Sequence, residues 1–375
     1  MKIAIVNPEF TMGGAQTACV AVANGLAQYG THEVFLVDFL GKDPIEHAPD
    51  PAITMIRNQY NRSLVEKIAA AANKIIFKYL KREYSISKVS ASRIQGLIQI
   101  IQKHEIEKVI LSAGYLTAMI PILKKTLPHV QFIAWQHSTY EIYTTRYTRS
   151  YSKEYFKGLE VADAIVCLTK IDAEKFSKHN TNSQCIYNPL TLKPSGISTL
   201  EHNNLIFVGR LDWETKGLIY LGEIMERLNS KIHLTIVGDG PDREKLENSF
   251  KERGILERIK FIGPVKQSEV SKYYEKSDIV ISTSKWEGFG LTLVEGMACG
   301  LPVVAFDNNG PNEILNRGEF GFLIEKYDTE KFSAHLKNLL QNKEKMQLYQ
   351  KKSLARAKDF KVERIIENWS ALLES

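Results

Sequence analysis

The stretch that decides the fold is SDIVISTSKWEGFGLTLVEGMACGLPVVAF, residues 277–306. It opens on a short β-branched apolar run, passes through the glycines of EGFG, and continues in a helical apolar pattern. Gly300 and Pro302 close that pattern before a second apolar run, PVVAF. Strand, glycine loop, helix, strand is the repeating unit of a parallel sheet with crossover helices. Working outward, the same alternation fills the chain. KIAIVN, HEVFLVDF, KVILSA, QFIAWQH and DAIVCLT read as strands of one series; NLIFVGR, HLTIVGDG, IKFIGPV, DIVISTS and PVVAF form a second. Each series predicts its own doubly wound α/β sheet, and the 375 residues are too many for one ordinary core. Residues 187–204, rich in Pro, Ser, Asn and Gly, read as the linker between them. The last stretch, from Val362, returns to a helical period with Ile365, Ile366, Trp369 and Leu372 on one side.

Composition excludes several classes. Hydrophobic residues at 44% and charged residues at 25% are globular values. No apolar run approaches the ~20 residues that span a bilayer, and MKIAIVNPEF reads as a buried strand, not a secretory leader. Cys19, Cys167, Cys185 and Cys299 are scattered without metal-ligand spacing, which suits buried thiols in a reducing cytoplasm. The basic excess is uneven: residues 1–200 carry net +7 and residues 201–375 net −1. An anionic partner for the first half is expected, whether phosphate, membrane or nucleic acid.

Ligands of doubly wound sheets bind beyond the carboxyl ends of strands, so the loops there are the candidate site. Gly13 and Gly14 follow the first strand and open a helix, where backbone amides can meet an anion. Neither a G-x-G-x-x-G nor a phosphate-binding G-x-x-x-x-G-K loop is present. Arg210 and Lys216 leave the first strand of the second series, a pairing of cations that suits a diphosphate; pairing with Asp212 or Glu214 is the plainer alternative. Glu287 precedes the loop Gly288-Phe289-Gly290 and Glu295 lies roughly 6 Å into the helix that starts near Leu291. A diphosphate at that helix start would have one carboxylate on either side, each able to accept from neighbouring sugar hydroxyls. A helix with an acidic first turn accounts for Glu295 equally well. His137 ends a first-series strand.

Taken together, Gly13-Gly14, His137, VGRLDWETKG, VGDGPDREKLE, FIGPV, EGFGLTLVE and GPNEIL resemble, in order and spacing, the retaining glycosyltransferases of family GT4. The match is specific over residues 205–323 and weaker over residues 1–37 and 131–189. Residues 41–107 match nothing in the pattern. The resemblance implies a GT-B fold: two facing Rossmann-like doubly wound domains with a cleft between them. An acceptor-binding domain is expected over residues 1–188 and a donor-binding domain over 189–359, with a helix over 360–375 packing back on the first. The implied activity is metal-independent transfer of a hexose or N-acetylhexosamine, with a UDP-sugar as the expected donor. The acceptor would be a glycan or a polyprenyl-linked glycan, in cell-surface polysaccharide biosynthesis.

Carried over residue by residue, Glu287 and Glu295 match the family's E-x7-E pair, contacting the donor sugar and ribose. Arg210 and Lys216 match the pair that stabilises the leaving diphosphate. Gly14, next to Gly13, matches the amide near the phosphates, His137 the histidine on the donor sugar, and Phe289, Gly290 and Leu291 the amide-donating loop after Gly288. No D-x-D occurs, so no metal or other cofactor is expected and the protein itself would supply the compensating charge.

Two basic stripes are candidates for the acceptor side. Over residues 63–82 a helical pattern aligns Lys67, Lys74, Lys78 and Lys81 beside Leu64, Ile68, Ala72, Ile75 and Tyr79. Over residues 143–157 a second aligns Arg146, Arg149, Lys153 and Lys157 beside Tyr147, Tyr151 and Tyr155. Solvated helix faces are one reading; contact with anionic lipid or a polyprenyl-diphosphate acceptor is the other. The expected location is the cytoplasm, peripheral at the inner face of the membrane. A nucleotide-sugar epimerase, a non-catalytic transferase-like subunit and a nucleic-acid binder are the competing classes. The first leaves the basic stripes unexplained, the second would have lost Arg210, Lys216 or Glu287, and the third has no recognisable module.

Overall fold

The computed structural model describes residues 1–11, 13–30, 32–41 and 49–375. Part of the unmatched stretch, residues 42–48, therefore lies outside the described residues. The chain divides into two compact units, Met1–Pro189 with Val362–Ser375, and Leu190–Lys361.

The first unit is built on β1 (Lys2–Asn7), β2 (Glu33–Asp38), β3 (Thr54–Arg57), β4 (Lys108–Ser112), β5 (Gln131–Trp135), β6 (Ala164–Cys167) and β7 (Ser183–Cys185). Their order is β3-β2-β1-β4-β5-β6-β7 and every pairing is parallel. The second unit holds β8 (Asn204–Val208), β9 (His233–Val237), β10 (Ile259–Gly263), β11 (Ile279–Ser282), β12 (Val303–Phe306) and β13 (Phe322–Ile324). They run β10-β9-β8-β11-β12-β13, again all parallel. Both sheets are doubly wound in the Rossmann manner. Burial on both faces explains the continuous apolar runs, because neither face of a parallel sheet meets water.

The direction of winding reverses between β1 and β4 in the first unit and between β8 and β11 in the second. Such switch points leave a crevice at the carboxyl ends of the two diverging strands. The loop after β8 carries Arg210 and Lys216, and the loop after β11 carries Glu287.

The helix Val362–Glu374 completes the first unit. Ile365, Ile366, Trp369, Leu372 and Leu373 are buried in one cluster with Ile3, Ile5, Val22 and Leu26 from β1 and the helix Gly14–Tyr29. At about 1.5–3 kcal/mol for each large apolar side chain, this face fixes the segment to the first sheet. Trp135 at the end of β5 meets Trp369 edge-on, ring centroids 4.9 Å apart.

The expected single helix over residues 143–157 is not formed. Residues Tyr143–Tyr147 make a π-turn, Arg149–Tyr151 a 3-10 turn, and an α-helix begins only at Ser152. Thr148 sets the break: its amide (3.1 Å) and hydroxyl (2.8 Å) both donate to the carbonyl of Tyr143. The tyrosines do not line a surface either. Tyr143, Tyr151 and Tyr155 are buried, Tyr143 stacking on Tyr155 at 5.8 Å, and only Tyr147 is exposed. Arg146 and Arg149 are exposed. Buried Tyr143, Tyr151 and Tyr155 cannot stack on bases, which leaves Tyr147 as the one exposed ring of the four.

Candidate functional site

In the second unit the two loops of the switch point are locked together. Gly217 adopts a left-handed φ of 58°, and a Cβ there would sit 2.2 Å from the carbonyl oxygen of Thr283. Glycine alone lets the loop after β8 close this tightly on the loop after β11. Thr283 donates its hydroxyl to the Lys216 carbonyl at 3.0 Å. The consequence is that the Lys216 ammonium donates to Glu287 Oε2 at 2.6 Å, with both side chains largely shielded. Ser284 adds a hydroxyl to the same oxygen at 3.1 Å. The pairing of Lys216 with Asp212 or Glu214 that the sequence allowed is replaced by this one; Glu214 instead takes Lys285 at 2.9 Å.

Replacing Gly217 by Val is expected to cost about 2–3 kcal/mol from the backbone clash and the left-handed φ. Differential scanning should then show a Tm lower by about 4–12 °C.

The helix Leu291–Ala298 starts directly after the glycine loop. Its N-cap, Gly290, is left-handed at φ 104°, and no side chain caps the helix start. The amides there remain available to an anion, and the macrodipole favours one. Phe289 is buried and fixes the loop, with its ring 5.8 Å from Phe360. The amide of Gly310, in the segment GPNEIL, donates to the Glu287 carbonyl at 3.2 Å.

Glu295 lies one turn into this helix and is buried. Gln267 donates to its Oε1 at 2.7 Å, and the Tyr274 hydroxyl lies 3.1 Å from its Oε2. Burial raises its pKa above the ordinary 4.5, and those two hydrogen bonds act against the rise. A carboxylate has more acceptor positions than two donors fill, so it can still accept from a ligand hydroxyl. Gln267 and Tyr274 carry no sequence signal of this role. They come from another helix, Gln267–Glu275, and meet Glu295 only through the tertiary packing.

Arg210, two residues beyond β8, is exposed and makes no ion pair among the described residues. Its loop is shaped by the next one: Leu211 donates its amide to the Asp239 carbonyl at 2.9 Å, and Trp213 donates to Asp242 Oδ2 at 2.8 Å. The segments VGRLDWETKG and VGDGPD thus pack as one surface. Among the described residues no group of three or more His, Cys, Asp or Glu is placed to hold a metal ion.

In the first unit, Gly14 begins the helix Gly14–Tyr29 with Gly13 as an extended, uncapped N-cap. His137 follows β5 by two residues. Its amide donates to the Tyr143 hydroxyl at 3.0 Å, and its ring packs on Trp135 at 4.3 Å. Both ring nitrogens are shut off from solvent and find no hydrogen-bond partner. Burial pushes its pKa down to about 3 from the ordinary 6.5, so the imidazole is neutral at physiological pH. The unfolded chain takes up that proton near pH 6.5 and the folded one only near 3. Stability from this group therefore falls as pH drops through that window.

These loops, at the carboxyl ends of two Rossmann-like sheets, have the architecture of a glycosyltransferase. A model of the family described as glycosyl transferases group 1 matches residues 191–355. An uncharacterized glycosyltransferase of Haemophilus influenzae is 30% identical over 370 residues, covering 96% of both chains. The chain belongs to this glycosyltransferase family. A Campylobacter jejuni relative, named N-acetylgalactosamine-N,N'-diacetylbacillosaminyl-diphospho-undecaprenol 4-alpha-N-acetylgalactosaminyltransferase, is 30% identical over 50% of this chain and 52% of its own. Among solved structures, Anabaena Alr3699/HepE in complex with UDP and glucose superposes with a TM-score of 0.77 at 17% identity. That likeness covers 100% of this chain and 99% of the other, and it shows the GT-B fold.

Proposed function

We propose that this glycosyltransferase moves a hexose or N-acetylhexosamine, with retention, from a UDP-sugar to a glycan or polyprenyl-diphosphate-linked acceptor. It would do so without a metal, in cell-surface glycan assembly on the cytoplasmic side of the membrane. The observation that carries this reading is the pairing of Lys216 with Glu287 beside the uncapped start of Leu291–Ala298. A diphosphate at that helix start offers Lys216 a second anionic partner. Lysine is a point charge on a flexible stem and can turn from Glu287 to the leaving oxygens. Exposed Arg210, two residues beyond the same strand, adds a second cation. Together they take the charge that builds as the bond between the sugar C1 and the phosphate oxygen breaks. The acceptor oxygen bonds C1 on that same face and passes its proton to the departing phosphate. Glu287, freed by the movement of Lys216, accepts from hydroxyls of the transferred sugar, and Glu295 from those of the ribose.

In the first unit, a neutral His137 would offer a hydrogen bond to an uncharged sugar hydroxyl once its shielded nitrogens are uncovered. The relatives point the same way. HepE was solved with UDP and glucose, and the Campylobacter enzyme is named for a diphospho-undecaprenol-linked substrate.

The test is a panel of UDP-, GDP- and ADP-sugars with nucleotide release measured against lipid-linked acceptors, with and without EDTA. Release from a UDP-sugar that EDTA leaves unchanged is the expected result. Activity abolished by EDTA overturns metal independence, and a donor epimerised without any acceptor overturns transfer in favour of epimerisation.

A further inference from the structure

The helix Leu64–Leu80 is attached at its ends and turned outward along its length. At its start, Glu66 is buried and receives the Ser63 amide (2.6 Å), the Ser92 amide (2.8 Å) and the Ser92 hydroxyl (2.5 Å), while the Ser63 hydroxyl accepts from the Glu66 amide. Burial acts to raise the Glu66 pKa, but the bonds from Ser92 and Ser63 outweigh it and hold the carboxyl down at about 2. Just past the helix end, Glu83 accepts from the Ser152 hydroxyl at 2.6 Å, and the Tyr84 amide donates to the Ser150 carbonyl at 2.9 Å. Between these clamps only Ala70 is buried.

The outward face is apolar. Leu64 is 73% exposed, Val65 76%, Ile68 62%, Ile75 60%, Tyr79 72% and Leu80 73%. At 100° per residue, Leu64, Ile75, Ile68, Tyr79, Ala72, Val65 and Ile76 fall within one arc of about 120°. Lys81, Lys74, Lys67 and Lys78 occupy the neighbouring arc of about 60°, between the apolar face and the protein. The helix's single acid, Glu66, is the buried clamp. An exposed apolar stripe this long is unusual on a chain that stays in water, and it calls for a partner.

The charge pattern decides which. A lysine flank with no opposing carboxylate repels a second copy of the same face and matches an anionic surface. We propose that Leu64–Leu80 is an interfacial anchor that seats this chain on an anionic lipid bilayer. Its apolar arc would lie among the upper acyl chains and its lysines at headgroup level. Exposed Arg149 and Lys153 flank the segment that clamps the helix end, and they extend the cationic surface. At 17 residues with four flanking lysines the helix lies on a membrane; no helix among the described residues is long and apolar enough to cross one. The inference deepens the reading of a lipid-linked acceptor, since the anchor would bring the first unit to the surface that displays it.

The test separates this inference from that reading, because it measures binding without turnover. Full-length protein is sedimented with vesicles of phosphatidylcholine alone or with 40% phosphatidylglycerol, a probe composition on the order of bacterial anionic content. The wild type should bind the anionic vesicles, on the order of tenfold more tightly than the neutral ones. Lys74→Glu with Lys78→Glu and Lys81→Glu should lose roughly a hundredfold in partition, and Ile68→Glu with Ile75→Glu at least about tenfold. All these side chains are exposed, so circular dichroism and Tm should match the wild type, and nucleotide release by Ile68→Glu/Ile75→Glu with a water-soluble acceptor should match it too. Equal binding by wild type and both variants, or no binding at all, overturns the anchor. Vesicle binding unaffected by Ile68→Glu/Ile75→Glu, alongside loss of a dimer in sedimentation equilibrium, assigns the face to a second copy instead.

Discussion

Lys216→Ala is expected to lower kcat/KM for nucleotide release by about 10²–10³-fold while the protein keeps its wild-type Tm to within a few degrees. Lys216 is the cation that the packing of Gly217 on Thr283 delivers to the carboxyl end of β11. Removing a preorganised charge from a leaving diphosphate costs about 3–4 kcal/mol of transition-state stabilisation. The loss should fall mainly on kcat, because the charge it answers grows as the bond breaks. Glu287→Gln tests the pair from the other side. If Lys216 acts only to balance Glu287, the double variant will recover activity lost in Lys216→Ala. If Lys216 serves the diphosphate, it will not. Turnover by Lys216→Ala at the wild-type rate would remove it from the site altogether.

Glu295→Ala is expected to weaken UDP-sugar binding by about 10–100-fold, the range for hydrogen bonds to a buried charge, with little change in kcat. The pH dependence carries the sharper signature. Burial raises this carboxyl above 4.5, and hydroxyls donating to it would favour its ionised form. Donor binding should therefore release a proton and strengthen as pH rises through the raised value, then level off. Calorimetry in two buffers of different ionisation enthalpy reads that proton directly; Glu295→Gln should abolish it. In the ligand-free protein the same shift acts in the opposite sense. A carboxyl whose folded value lies above its unfolded one makes the fold less stable as pH climbs between the two. Donor binding without proton release anywhere above pH 4.5 would leave Glu295 a structural residue.

Ten of the thirteen strands among the described residues were legible in the sequence, and the physics separates them from the rest. KIAIVN, VILSA and DIVIST are buried on both faces and so spell continuous apolar runs. The three unread strands, TMIR of β3, SQC of β7 and FLI of β13, each sit at the edge of a sheet. An edge strand of three or four residues, half wet, has too little apolar pattern to stand out. The helix Leu291–Ala298 and the left-handed Gly300 after it were legible because glycine and proline punctuate locally. The helical register over residues 143–157 misled for the complementary reason. Tyrosines at helical spacing describe a face equally well whether it turns inward or outward, and here the chain breaks at Thr148 to bury them. Of the site, the residue types and their strand-end positions were legible. The Lys216–Glu287 bond was not, since it spans 71 residues and depends on one glycine approach, and neither were the two donors that hold Glu295.

The placement of Val362–Ser375 has a consequence for how the molecule is made. Synthesis proceeds from the amino terminus, so β1 to β7 can emerge and pair while the helix that covers Ile3, Ile5 and Leu26 does not yet exist. All of Leu190–Lys361 must be translated first. For that interval the nascent first unit carries a bare greasy flank of its own, and a ribosome-bound chaperone has its clearest client there. Biogenesis of the two units is thus coupled: the earlier half waits, unfinished, for the later half to pass.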